Sequence, residues 1–130
     1  MRKIIKQRMA SFGYALRGLR LLFETEIHGK FHILFAIFVI GASVFFNIST
    51  TEWCLVIIII TIVISAEAFN SSIESLTDLV SPDQHPLAAK TKDMAAGAVL
   101  ILAIGAAIIG CIIFLPKVYG FFLNVNVNFE

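Results

Sequence analysis

The chain has 130 residues, 58% of them hydrophobic, with ten Lys and Arg against nine Asp and Glu for a net charge of +1. That length allows one domain at most, and so apolar a composition excludes an ordinary soluble fold of this size, so the sequence reads as an all-α integral membrane protein. A net charge near zero speaks neither for nor against nucleic acid until the charges are placed. Cys54 and Cys111 both sit inside apolar runs, where a thiol acts as a small hydrophobe, so neither a disulfide nor a metal-binding pair is expected. The first thirty residues carry positive charge but no contiguous apolar core ending in a cleavage site, so they do not read as a removable signal peptide.

Residues 1–29 have the pattern of an amphipathic surface helix. Ile5, Met9, Phe12, Leu16, Leu19 and Phe23 step by four and three, while Lys3, Lys6, Arg17 and Glu24 take the other side. A basic amphipathic helix beside a membrane span lies in the interface plane. Glu24 shares the basic side and is a candidate partner for Arg17 or Arg20, whereas Glu26 continues the apolar spacing Leu19, Phe23 and is the less ordinary acid.

Three transmembrane helices are predicted over 31–48, 53–80 and 86–115. Residues 47–52 form a short polar turn, and Trp53 opens the second span as an interface anchor. Ser81-Pro82 ends that span, Pro86 suits the first position of the next, and Pro116-Lys117 is expected to end the third. Ala103, Ala106, Ala107 and Gly110 recur at helical spacing and favour close helix packing. Of the ten Lys and Arg, seven precede the first span, two lie in the 81–93 connection, one follows the third span and none lies in the 47–52 turn. The positive-inside rule then places the N-terminus and the connection in the cytoplasm, in a multi-pass topology. These charges mark membrane boundaries, and no nucleic-acid partner is expected.

The residues after Ala66 carry the chemistry. Glu67, Asn70, Ser71, Glu74 and Asp78 fall within about 100° of arc on one helix, a polar stripe with three carboxylates at the end of a membrane span. Counted from Trp53, Glu67 lies about 21 Å into a hydrocarbon core of about 30 Å, just beneath the far headgroups, and Glu74 lies about 10 Å further along. Intramembrane carboxylates are rarely placed without function. The plainer alternative is a solvated helix end, or acids paired with Arg17, Arg20 or Lys92, and for Asp78 this stands level with a functional role. Lys90 and Lys92 bring positive charge near the stripe, and a helix N-terminus adds dipoles suited to phosphate.

Together these parts describe phosphoryl transfer. Magnesium takes oxygen ligands and tolerates one or two carboxylates plus substrate phosphates, a role open to Glu74 with an acid such as Glu26. Glu67, desolvated beneath the headgroups, is placed to accept a proton from a lipid hydroxyl, so the acceptor is a membrane lipid alcohol. There is no Walker A sequence or glycine-rich nucleotide loop. His28 and His32 stand four apart with Glu24 one turn earlier, a spacing able to hold a metal, but Gly29 and the onset of the apolar run favour interfacial histidines.

The pattern E-x-x-N-S-x-I-E-x-x-x-D from Glu67, then His85, then Lys92-Asp93-Met94 followed by AAGAVL, resembles the bacterial diacylglycerol kinase/undecaprenol kinase family, from Gly13-Tyr14 through the third span. Thr51-Glu52-Trp53, His85-Pro86-Leu87 and Ile113 to Lys117 resemble the undecaprenol kinase branch more than the diacylglycerol branch. The resemblance implies a homotrimer in the bacterial inner membrane, with ATP and Mg2+ as cofactors and sites shared between neighbours at the cytoplasmic surface. It implies that Glu67 is the catalytic base and that Glu26 and Glu74 hold the metal. Tyr14, Asp83, Gln84, His85, Lys92 and Asp93 would contact the nucleotide, with Asn70 and Asp78 on the active face. Where family members can carry an arginine near the nucleotide, this chain has Gln7 with Arg8 beside it, and the common NTAIE motif is here Asn70-Ser71-Ser72-Ile73-Glu74. A small proton-coupled transporter using Glu67 as a relay is the alternative, although it leaves Glu74, Asp78 and Lys92-Asp93 without a role.

Overall fold

The computed structural model describes residues 2–83 and 85–127. They form α1 (Arg2–Thr25), α2 (Ile27–Phe45), α3 (Thr50–Val80) and α4 (Pro86–Val127). As expected, the regular structure of the described residues is all helical, and three of their helices are long and apolar enough to cross a membrane: α2, α3 and the Pro86–Leu123 part of α4. At 1.5 Å per residue α2 is about 28 Å long and α3 about 46 Å, so α3 is longer than a hydrocarbon core.

The surface helix predicted over 1–29 ends earlier, because Glu26 leaves helical geometry (φ −90°, ψ 120°) and α2 starts directly after it. The Thr25 hydroxyl donates to the Leu21 carbonyl (2.8 Å), a bond of the kind that bends a helix end. The tertiary cause is the close approach of the two helices. A Cβ on Gly29 would lie 2.9 Å from the Leu22 carbonyl oxygen, and Leu22 itself is buried. Glycine is therefore required at this elbow. Gly29→Ala is expected to force the helices apart at a cost of about 1–3 kcal/mol. A lowered Tm in detergent would register it, and turnover should fall with it because Glu26 sits at the bend. The apolar stripe of α1 remains uncovered by the rest of the chain, with Met9, Phe12 and Leu16 exposed, as suits a helix lying on an apolar surface.

The first span was expected to reach Ile48, but α2 stops at Phe45. Asn47 takes the left-handed conformation (φ 47°), its N–H bonds the Val44 carbonyl (3.1 Å), and the Ile48 N–H bonds the Ser43 carbonyl (3.2 Å). This is a Schellman ending with asparagine in the position that favours it. The predicted polar turn then shortens from its far side, because α3 starts at Thr50 and not at Trp53. Ser49 caps it, accepting the Glu52 N–H on its hydroxyl (3.3 Å), while Glu52 accepts the Ser49 N–H (2.7 Å). The two side chains satisfy donors that the helix start would otherwise leave orphaned.

At the other end α3 stops at Val80, before Ser81-Pro82, and Pro86 opens α4. The expected end of the third span at Pro116 is corrected: α4 passes through Pro116 and runs to Val127. Proline there removes one backbone donor, and tertiary contacts support the turns beyond it. Lys117 Nζ pairs with Glu52 at 3.0 Å, and Phe121 packs edge-on against Phe45 and Phe46 with ring centroids 5.7 and 6.4 Å away. The same end of the bundle holds an apolar core of Ile48, Val56 and Ile113. Toward the opposite end of α3, the buried positions become polar.

Candidate functional site

Burial falls along the polar stripe of α3. Glu67 is 3% exposed and Asn70 8%, Ser71 and Glu74 are half-buried, and Asp78 is exposed. Steps of three, four and four residues keep these side chains on one face while the helix carries them outward. The gradient separates a carboxylate sheltered from water from one that water reaches.

Within the stripe the Asn70 amide donates to Glu74 Oε1 (3.2 Å). That bond fixes the amide orientation and leaves Asn70 Oδ1 buried without a donor. A buried acceptor left unpaired costs about 1–3 kcal/mol, so a donor from water, a ligand or a neighbouring chain would stabilise this face. Glu67 has one ionisable neighbour within ion-pair distance among the described residues: His32 Nε2 on α2 lies 4.0 Å from Oε2.

A second cluster lies where α3 gives way to α4. Lys92 Nζ pairs with Asp78 Oδ1 at 2.6 Å. His85 caps α4: its Nδ1 accepts the Leu87 N–H (3.2 Å) and its carbonyl accepts the Ala89 N–H (3.1 Å). With Nδ1 used as an acceptor, the neutral ring carries its proton on Nε2, free to donate. Asp78, Asp83, His85 and Lys92 line a groove of about 510 Å3. The helix start, a lysine and an imidazole donor suit an anionic ligand, and the two aspartates suit one that arrives with a cation.

The remaining candidates are more dispersed. Tyr14 is exposed on α1 with the Arg17 guanidinium 5.9 Å over its ring. Asp93 is exposed beside Lys92, and Gln84 lies outside the described residues. Glu26 is half-buried at the elbow and does not cap α2 with its side chain. No hydrogen bond or ion pair joins it to Glu74 among the described residues.

Glu24 pairs with Arg20 (2.7 Å), one of its two expected partners. The break at Glu26 then removes Glu24 from the helical register of His28 and His32, so those three do not share a helix face. No group of three or more His, Cys, Asp or Glu able to hold a metal occurs among the described residues. One chain thus offers an oxygen set of one or two carboxylates, Glu74 steered by Asn70 and Glu26 at the elbow. Carboxylate oxygens are the kind of ligand magnesium takes, with phosphate and water completing its shell, but no contact brings these two acids together among the described residues.

His32 is the residue that sequence reasoning missed. Its spacing from His28 drew attention along α2, whereas its partner is on α3. Contact between helices leaves no local signal in a sequence.

A family model described as prokaryotic diacylglycerol kinase matches residues 13–114 of the chain. The undecaprenol kinase of Bacillus subtilis (strain 168) is 39% identical over 107 residues, covering 82% of this chain and 87% of that protein. The diacylglycerol kinase of Synechocystis sp. is 34% identical over 109 residues, covering 83% of this chain and 62% of that protein. The diacylglycerol kinase of Escherichia coli (strain K12) is 29% identical over 101 residues, covering 78% and 83%.

Proposed function

This chain belongs to the prokaryotic diacylglycerol kinase family, and on that footing we propose that it transfers the γ-phosphoryl group of ATP to a membrane lipid alcohol, undecaprenol ahead of diacylglycerol. Membership makes it a lipid kinase and removes the transporter reading of Glu67. The observation that carries the assignment of roles is the burial of Glu67 at one end of a stripe whose other end is open to water.

Glu67 is the base. A lipid hydroxyl reaches it from the apolar side, and a carboxylate kept from water is free to accept the hydroxyl proton as the oxygen attacks phosphorus. Lys92 and His85 hold the phosphates from the groove, with Asp78 positioning the lysine. From Glu67 to Asp78 is about 16 Å along the helix axis, an interval that the phosphates would bridge past Glu74 only together with the reach of the Lys92 and Glu67 side chains and the lipid hydroxyl. Tyr14, with Arg17 on its ring, offers a surface for the nucleotide, Asp83 and Asp93 join the contacts around the connection, and the family resemblance would add Gln84.

Glu74 and Glu26 would hold magnesium, which when bound neutralises charge on the phosphates. Asn70 orients Glu74 and offers its free oxygen to the bound substrates. The N-terminus and the site face the cytoplasm of a bacterial inner membrane, in keeping with the distribution of Lys and Arg. Three chains assemble as a homotrimer with shared sites. The exposed apolar side chains along the middle of α2 and α4 and the exposed stripe of α1 support placement in and on the bilayer, where such faces also meet neighbouring chains.

The test is direct. Purified protein supplied with labelled ATP and magnesium is expected to label undecaprenol, and diacylglycerol less readily. Label in neither lipid would refute the kinase assignment, and preference for diacylglycerol would reverse the order of acceptors. The 39% identity to an undecaprenol kinase is the support for that order.

A further inference from the structure

A base that is 3% exposed creates a difficulty that the proton transfer leaves unsolved. Once Glu67 has taken the hydroxyl proton it must lose it before the next turnover, and water does not reach it. His32 meets the geometric requirement for the next step. Its Nε2 lies 4.0 Å from Glu67 Oε2, and its side chain is 26% exposed against 4% for the carboxylate. The gap exceeds a hydrogen bond by about 1 Å, so the transfer requires the imidazole to rotate toward the carboxylate.

The surroundings leave this path clear of competing partners. His28 and Lys30, on the same helix, are exposed. From α3, Glu67 is the acid within ion-pair distance of the imidazole among the described residues. Toward α1, Glu24 is paired with Arg20 and Glu26 sits at the elbow.

We propose that His32 is a positioning residue that acts through Glu67, receiving the proton that Glu67 removes from the lipid hydroxyl and passing it to water. The inference rests on reading Glu67 as the base. The balance is as follows. The lipid O–H bond breaks as its oxygen bonds to the γ-phosphorus and the bond from that phosphorus to the ADP oxygen breaks. The proton resides first on Glu67, then on His32 Nε2, which becomes imidazolium and is neutralised by loss of the proton to water. The chain ends the cycle unchanged.

His32→Ala is expected to lower kcat about 10- to 100-fold, at the lower end of what proton-transfer groups contribute, with KM for ATP unchanged. Imidazole added to the assay should restore much of the loss. His32→Gln, which keeps a hydrogen-bonding side chain of similar size but carries no proton, should be equally slow and show an enlarged solvent deuterium isotope effect on kcat. It also serves as the test should the alanine variant not fold, judged by size exclusion and nucleotide binding. Wild-type kcat in His32→Gln would overturn the relay, as would a folded His32→Ala variant that imidazole leaves unrescued. Glu67→Gln with and without imidazole separates the two readings. If it retains turnover, the base assignment fails, whereas an inactive Glu67→Gln beside a fully active His32→Ala defeats the relay alone.

Discussion

Glu67→Gln is expected to lower turnover with the lipid acceptor by roughly 10²- to 10⁴-fold, the contribution of a positioned general base. The substitution keeps the shape of the side chain and removes its basicity, so a loss of activity cannot come from a cavity. Because Glu67 is 3% exposed, exchange of a carboxylate for a neutral amide should also leave the protein as stable as wild type or more so, the usual trade between stability and function at a buried polar site. Nucleotide binding should survive, since Lys92 and His85 lie further along the chain beside the groove. Single-turnover assays with labelled ATP, combined with equilibrium binding of a nucleotide analogue, check both halves. Loss of nucleotide binding together with turnover would show that Glu67 has a structural role.

Glu74→Gln is expected to act differently. Glu74 is half-buried and accepts the Asn70 amide at 3.2 Å, so glutamine keeps a carbonyl for that bond but loses the charge offered to a divalent cation. Turnover should fall by roughly 100-fold, the upper end of the loss when a metal-orienting contact is removed. In contrast to Glu67→Gln, part of the loss should be recovered at high magnesium, because weakened affinity yields to mass action. A magnesium titration of activity at saturating lipid separates the two variants. A Glu74→Gln enzyme with the wild-type magnesium dependence would remove Glu74 from the metal site.

Three sequence features that resemble the undecaprenol kinase branch acquire a different meaning in the fold. Glu52 and Lys117, from two of them, pair with each other at 3.0 Å, at the Ser49 end of α3. His85-Pro86-Leu87, the third, is the start of α4, with the imidazole as its cap. In the fold these residues support helix ends. They lie away from the buried end of the stripe at Glu67. Asp78 pairs with Lys92 at 2.6 Å, which ties the end of α3 to the start of α4.

Much of this protein is determined by its sequence alone. Long uncharged runs permit little but helix in a membrane, because backbone polar groups have no other partners there. The spacing of Glu67, Asn70, Glu74 and Asp78 places them on one face without reference to any other helix. Pro82 and Pro86 punctuate the connection through their own local chemistry. Other features depend on contacts between segments far apart in the chain. The elbow at Glu26 exists because Gly29 lets α2 approach the Leu22 carbonyl, and a glycine three residues beyond the break does not by itself announce it. Helix α4 continues past Pro116 because Lys117 and Phe121 find partners on α3 and at the end of α2. The approach of the His32 imidazole to Glu67 exists only because α2 packs beside α3. Local periodicity records which residues share a helix face, but the meeting of two faces depends on how the helices pack, and only the tertiary structure decides that.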